Sequence, residues 1–88
     1  MTRYIVIDNY SGYVVADTSG DPLRVCQQLA GQDCVPVSNL GPNDKGYRIY
    51  AAHDLASGFV DGKYDRRNAH VIESIEQECS LVTMVRME

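Results

Sequence analysis

Eighty-eight residues with a net charge of −4 predict one domain (residues 1–88) with one core and no room for a separate substrate lobe. Twelve acidic against eight basic side chains argue against direct binding to a nucleic-acid backbone, which needs a concentrated positive field. With 44% hydrophobic and 23% charged residues the chain is expected to fold, and its apolar runs are too short to cross a bilayer.

Residues 3–8 (RYIVID) are rich in β-branched and aromatic side chains. Asp8, Asn9, Tyr10, Ser11 and Gly12 supply turn chemistry before residues 13–16 (YVVA) resume the pattern, so the start reads as a β-hairpin. Asp21 followed by Pro22 marks a helix start, because proline needs no N–H in the first turn. Leu23, Cys26, Leu29 and Ala30 recur at helical spacing, and Gly31 supplies the left-handed residue that ends the helix.

Val35 and Val37 alternate with Pro36 and Ser38, and proline's missing N–H places this strand at a sheet edge. Its expected partner is residues 47–51 (YRIYA), across a turn-rich loop at 41–46. Residues 52–64 carry only weak turn signals and read mostly as loop. Asp65 then opens a helix over 66–79 whose apolar stripe is Val71, Ile72, Ile75 and Cys79, and residues 81–87 have strand composition.

The resulting fold class is α+β, in the order β-β-α-β-β-loop-α-β. One small antiparallel or mixed sheet of four to five strands packs with two helices. Both alternating sets of the first and last strands are apolar, so both sheet faces need a cover. Either the helices divide between the faces, or one face meets a second copy of the chain or a larger protein.

No pattern in the chain assembles a catalytic site, a phosphate loop or a cofactor motif, so no enzyme activity and no cofactor are expected. Cys26, Cys34 and Cys79 form no CxxC pair and read as reduced thiols, and His53 and His70 lack ligand spacing, so no metal site is expected. The absence of a signal-peptide pattern and of membrane spans predicts a cytoplasmic location.

What remains is surface. Arg66 and Arg67 lie toward the positive end of the second predicted helix and Glu76 and Glu78 toward its negative end, the unfavourable order for the helix dipole. The arginines, extended by Lys63 and Tyr64, suit an acidic or planar group on a partner. Six tyrosines against one phenylalanine and no tryptophan add amphipathic contact area, with Tyr10, Tyr13, Tyr47 and Tyr50 at predicted turns or on strands. A protein partner is therefore expected at these eight positions.

The first strand and turn, Ile5-Val6-Ile7-Asp8-Asn9-Tyr10, resemble the opening of glutamine amidotransferase domains. That likeness ends after six residues, with neither a nucleophile elbow nor the necessary length, and no activity is carried over. In size, composition and architecture the whole chain resembles the small proteins of phages and mobile elements, including anti-CRISPR proteins, without a shared diagnostic motif. The resemblance implies a stoichiometric inhibitor that occupies a surface of a CRISPR effector complex. The alternatives are a homodimeric structural or regulatory module, and a small cysteine-dependent enzyme using Cys34 with a histidine.

Overall fold

A computed structural model describes residues 3–52 and 64–88. Five strands and two helices follow in the order β1 (Arg3–Asp8), β2 (Val14–Thr18), α1 (Pro22–Ala30), β3 (Cys34–Val37), β4 (Gly46–Ala52), α2 (Ala69–Glu78) and β5 (Ser80–Met87). The strands form a single antiparallel sheet in the spatial order β2-β1-β4-β5-β3.

Local chemistry explains most element boundaries. Asp21 caps α1 by accepting from the Leu23 N–H at 3.1 Å, and Pro22 occupies the first turn. Gly31 ends it with φ +69°, where its N–H reaches the Gln27 carbonyl. β3, which carries Pro36, is an edge strand.

Two expectations are corrected. The second helix begins at Ala69 and not at Arg66: Asn68 is its cap, accepting from the N–H groups of His70 (2.9 Å) and Val71 (3.3 Å). Asp65 instead closes a turn ahead of the helix, taking the Arg67 N–H on Oδ1 and the Asn68 N–H on its carbonyl. Arg66 and Arg67 therefore stand outside the helix, and only Glu76 and Glu78 remain at an unfavourable end.

The second correction concerns pairing. β3 does not form a hairpin with β4; β5 inserts between them, pairing Val85 with Tyr47 on one side and with Pro36 on the other. Both β3 and β4 run antiparallel to β5 and hence in the same direction, so the 38–45 connection crosses β5 instead of turning back. Asn9 pins that connection by donating from Nδ2 to the carbonyls of Gly41 (3.0 Å) and Asp44 (2.9 Å).

The core has two layers, one on each sheet face. Ile5, Ile7, Val14, Tyr50 and Ala52 pack with Ile75 and Cys79 of the α2 region. Val6, Tyr47, Ile49, Cys34 and Val85 pack on the other face with Cys26 of α1. The helices thus divide between the faces, which explains why β1 is apolar on both alternating sets. Residues 53–63, most of the stretch read as loop, lie outside the described residues.

Candidate functional site

The β1–β2 turn is built around one carboxylate. Asp8 Oδ1 accepts from the N–H groups of Tyr10 (2.8 Å) and Ser11 (3.1 Å), and its carbonyl accepts from Gly12, whose φ of +76° suits glycine. The Tyr13 N–H donates to Ser11 Oγ at 3.2 Å. With its backbone tied down, the turn holds Tyr10 outward at 70% exposure and Tyr13 at 45%.

The turn preceding α2 docks beside it. The Val14 N–H, at the start of edge strand β2, donates to the Arg66 carbonyl at 3.1 Å. This contact carries Arg67 over Tyr13, with the guanidinium carbon 5.8 Å from the ring centroid. Such a pairing at an exposed position contributes about 0.5–1 kcal/mol and orients both groups. Four of the eight expected partner residues, Tyr10, Tyr13, Arg66 and Arg67, therefore share one end of the molecule.

The other four separate. Tyr47 and Tyr50 are core residues, 4% and 6% exposed, on opposite faces of the sheet, which corrects the expectation that they meet a partner. Their tyrosine chemistry looks outward in sequence, but odd and even positions of a central strand are both covered here. Burial raises both phenols, and the Asp8 carboxylate adds to the shift at Tyr47. Tyr64 is half-buried and donates its hydroxyl to Asp17 Oδ2 at 2.9 Å, so that tip is engaged inside the fold; burial, then this bond, raises its pKa. Lys63 lies outside the described residues.

Beside Tyr10, on the α1 face, a cleft of about 160 Å³ is lined by Asp8, Tyr10, Lys45, Gly46 and Met87. Three strands, the β1–β2 turn and the 38–45 connection meet there. Asn9 N–H donates to the Gly46 carbonyl, and Met87 N–H to the Lys45 carbonyl. Of these residues only Tyr10 was expected at a binding surface. Asp8 and Gly46 read as turn residues, and no sequence signal joins Lys45 to Met87, because their proximity comes from β4–β5 pairing.

The thiols are all buried and unpaired. Burial pushes Cys26 up to about 12, with smaller contributions from Cys34 and Asp21. Cys34 is raised by burial, then by Asp33 and Glu88, and Cys79 by burial above all. Among the described residues no group of three or more His, Cys, Asp or Glu side chains could hold a metal ion, and no helix is long and apolar enough to cross a membrane. No family model, curated protein or solved structure matches the chain.

Proposed function

We propose that this protein acts by presenting a surface to another protein, and that the face carrying Tyr10, Tyr13, Arg66 and Arg67 makes the contact. The observation that supports this reading most directly is the Arg67–Tyr13 stack beside a hydrogen-bonded turn that leaves Tyr10 exposed. Exposed aromatic rings with a guanidinium, on a backbone whose shape is already set, have the composition and rigidity of an interaction hot spot. The more specific form, from the whole-chain resemblance, is stoichiometric inhibition of a CRISPR effector complex.

Purified effector complexes of different types, assayed for target-DNA binding with increasing amounts of the protein, test that form. Inhibition saturating at a fixed protein-to-complex ratio supports it, and loss of that inhibition in Tyr10→Ala/Arg67→Glu assigns it to this face. If the double variant inhibits as well as the parent protein, the contact lies elsewhere. If no complex is inhibited, the CRISPR form fails.

The cysteine-dependent reading requires a thiolate near neutral pH, and burial moves all three thiols in the opposite direction. The homodimer reading needs an uncovered apolar surface: each sheet face carries the chain's own helix, and Leu81 and Val82 of β5 stay exposed.

A further inference from the structure

The cleft beside Tyr10 is defined by its size and by the kinds of groups in its wall. Its volume of about 160 Å³ is close to the roughly 150 Å³ of a cavity that admits one benzene-sized group, and below the roughly 300–1,000 Å³ of ordinary small-molecule pockets. It therefore suits the end of a single side chain.

Charge does not select the occupant. Among the described residues the lining holds one acid, Asp8, and one base, Lys45, so the two signs balance. Asp8 already has its Oδ1 engaged by two backbone N–H groups of the turn. Arg86 is the next cation along β5 and pairs with Gly46, but it is not among the residues that line the cleft. Met87 packs with the cluster on the α1 face, and alternation along a strand sends the side chain before it to the other face.

The rest of the wall favours a ring. Tyr10 supplies an aromatic ring at 70% exposure, Met87 a thioether and Lys45 an ammonium group. Each of the three makes a specific attractive contact with a π-system that an aliphatic side chain cannot return. Gly46 presents only backbone, and that backbone is fixed. Its carbonyl accepts from the Asn9 N–H at 2.9 Å, and beside it the Met87 N–H donates to the Lys45 carbonyl at 3.1 Å. A wall already held in place saves an incoming group the cost of ordering it.

We propose that this cleft receives one aromatic side chain of the protein partner, a phenylalanine or tyrosine ring seated against Tyr10 and Met87. This deepens the partner-surface reading above and rests on it for the source of the ring. Because Tyr10 borders the cleft, a ring anchored here and Arg67 stacked on Tyr13 would belong to one contact face.

The test is an NMR titration of the whole protein with N-acetyl-phenylalaninamide, with N-acetyl-leucinamide as the aliphatic control and N-acetyl-argininamide and N-acetyl-glutamate as the charged ones. The expected result is a saturable upfield shift of the Met87 methyl, as protons over the face of a ring show, with changes at Tyr10 and Gly46. Affinity for the phenylalanine probe should be millimolar and about fivefold tighter than for the leucine probe. Tyr10→Leu keeps apolar bulk at an exposed position and removes the ring, so it should leave the remaining spectrum in place and weaken the phenylalanine probe about fivefold. Equal or tighter binding of the leucine, arginine or glutamate probe, an unchanged affinity in Tyr10→Leu, or no saturable shift with the phenylalanine probe overturns the proposal. Because no partner is present, such a failure is separate from failure of the partner-surface reading, which the effector assays decide.

Discussion

Asp17 shows how one residue ties together segments far apart in the chain. Its side chain is 6% exposed, lies 2.9 Å from Arg3 Nε across the β1–β2 pair, and accepts from the Tyr64 hydroxyl, 47 residues further on. The Arg3 contact has ion-pair distance without hydrogen-bond geometry, and Arg3 Nε and Nη2 have no hydrogen-bond partner among the described residues. Removing the carboxylate leaves a cation poorly compensated. A fully buried pair broken in this way loses about 3–5 kcal/mol; with Arg3 26% exposed, Asp17→Ala should lose about 2–3 kcal/mol in urea denaturation. A loss below about 0.5 kcal/mol would place the pair among surface ion pairs with no structural consequence.

The thiols make a pH prediction at the same scale. Cys26 titrates near its ordinary value of 9.0 once unfolded and only at about 12 when folded. Above pH 9 the unfolded chain loses this proton first and binds fewer protons than the native state, so stability falls as pH rises. The contribution is fully present below pH 9 and is lost toward pH 12; the raised Cys34, Cys79, Tyr47, Tyr50 and Tyr64 act in the same direction. The denaturation midpoint should decline from pH 9 upward, and Cys26→Ala should flatten that decline. Iodoacetamide at pH 8 should label the thiols far more slowly in the folded protein than in urea. Rapid labelling of Cys34 in the folded state would revive the cysteine-dependent reading.

At the scale of elements, α2 retains one unfavourable feature, carboxylates in its last turn. Glu76 has a local compensation: Arg48, on the neighbouring strand, places Nη1 3.4 Å from its Oε1 and 3.3 Å from the Tyr50 hydroxyl. Both partners are partly exposed, so a double-mutant cycle of Arg48→Ala and Glu76→Ala should give a coupling of about 0.5 kcal/mol that falls in high salt. Arg66 and Arg67 precede the helix, so reversing both to glutamate removes the Arg67–Tyr13 contact alone and should change stability by no more than about 1 kcal/mol. The same reversal should abolish partner binding, separating surface from fold.

β4 has a different vulnerability. A Cβ on Gly46 would overlap the Val85 carbonyl oxygen and crowd Leu40 Cδ1 at 3.2 Å, so Gly46→Ala should destabilise by about 1–3 kcal/mol through displacement of β5. A neutral result would show that the β4–β5 approach relaxes without loss. Gly46 reads as a turn residue because glycine and Asn43-Asp44-Lys45 occur together, but its structural role is close approach between strands.

At the scale of the whole molecule, β2 and β3 are the two edges of the sheet, and α1 connects one edge to the other across one face while α2 covers the opposite face. With a helix packed on each face, the free protein should sediment near its 9.8 kDa monomer mass. Concentration-dependent dimerisation would point to the exposed Leu81 and Val82 of β5 as the uncovered apolar surface. The proposed contact face gathers at one end because the β1–β2 turn, the turn before α2, the 38–45 connection and the end of β5 all converge there. Tyr13 and Arg67 are far apart in sequence, and the Val14–Arg66 and Tyr64–Asp17 hydrogen bonds bring their segments together.

The sequence alone determined what short-range chemistry controls: the hairpin turn at Asp8–Gly12, the Asp21-Pro22 start and Gly31 end of α1, the edge position forced by Pro36, and the α+β class. Strand neighbours, the division of helices between faces, the burial of Tyr47 and Tyr50 and the cleft at Asp8 were decided by tertiary structure. Caps and turns depend on hydrogen bonds among residues a few positions apart. A strand apolar on both sides states only that it must be covered, and which strand or helix covers it depends on how the entire core packs.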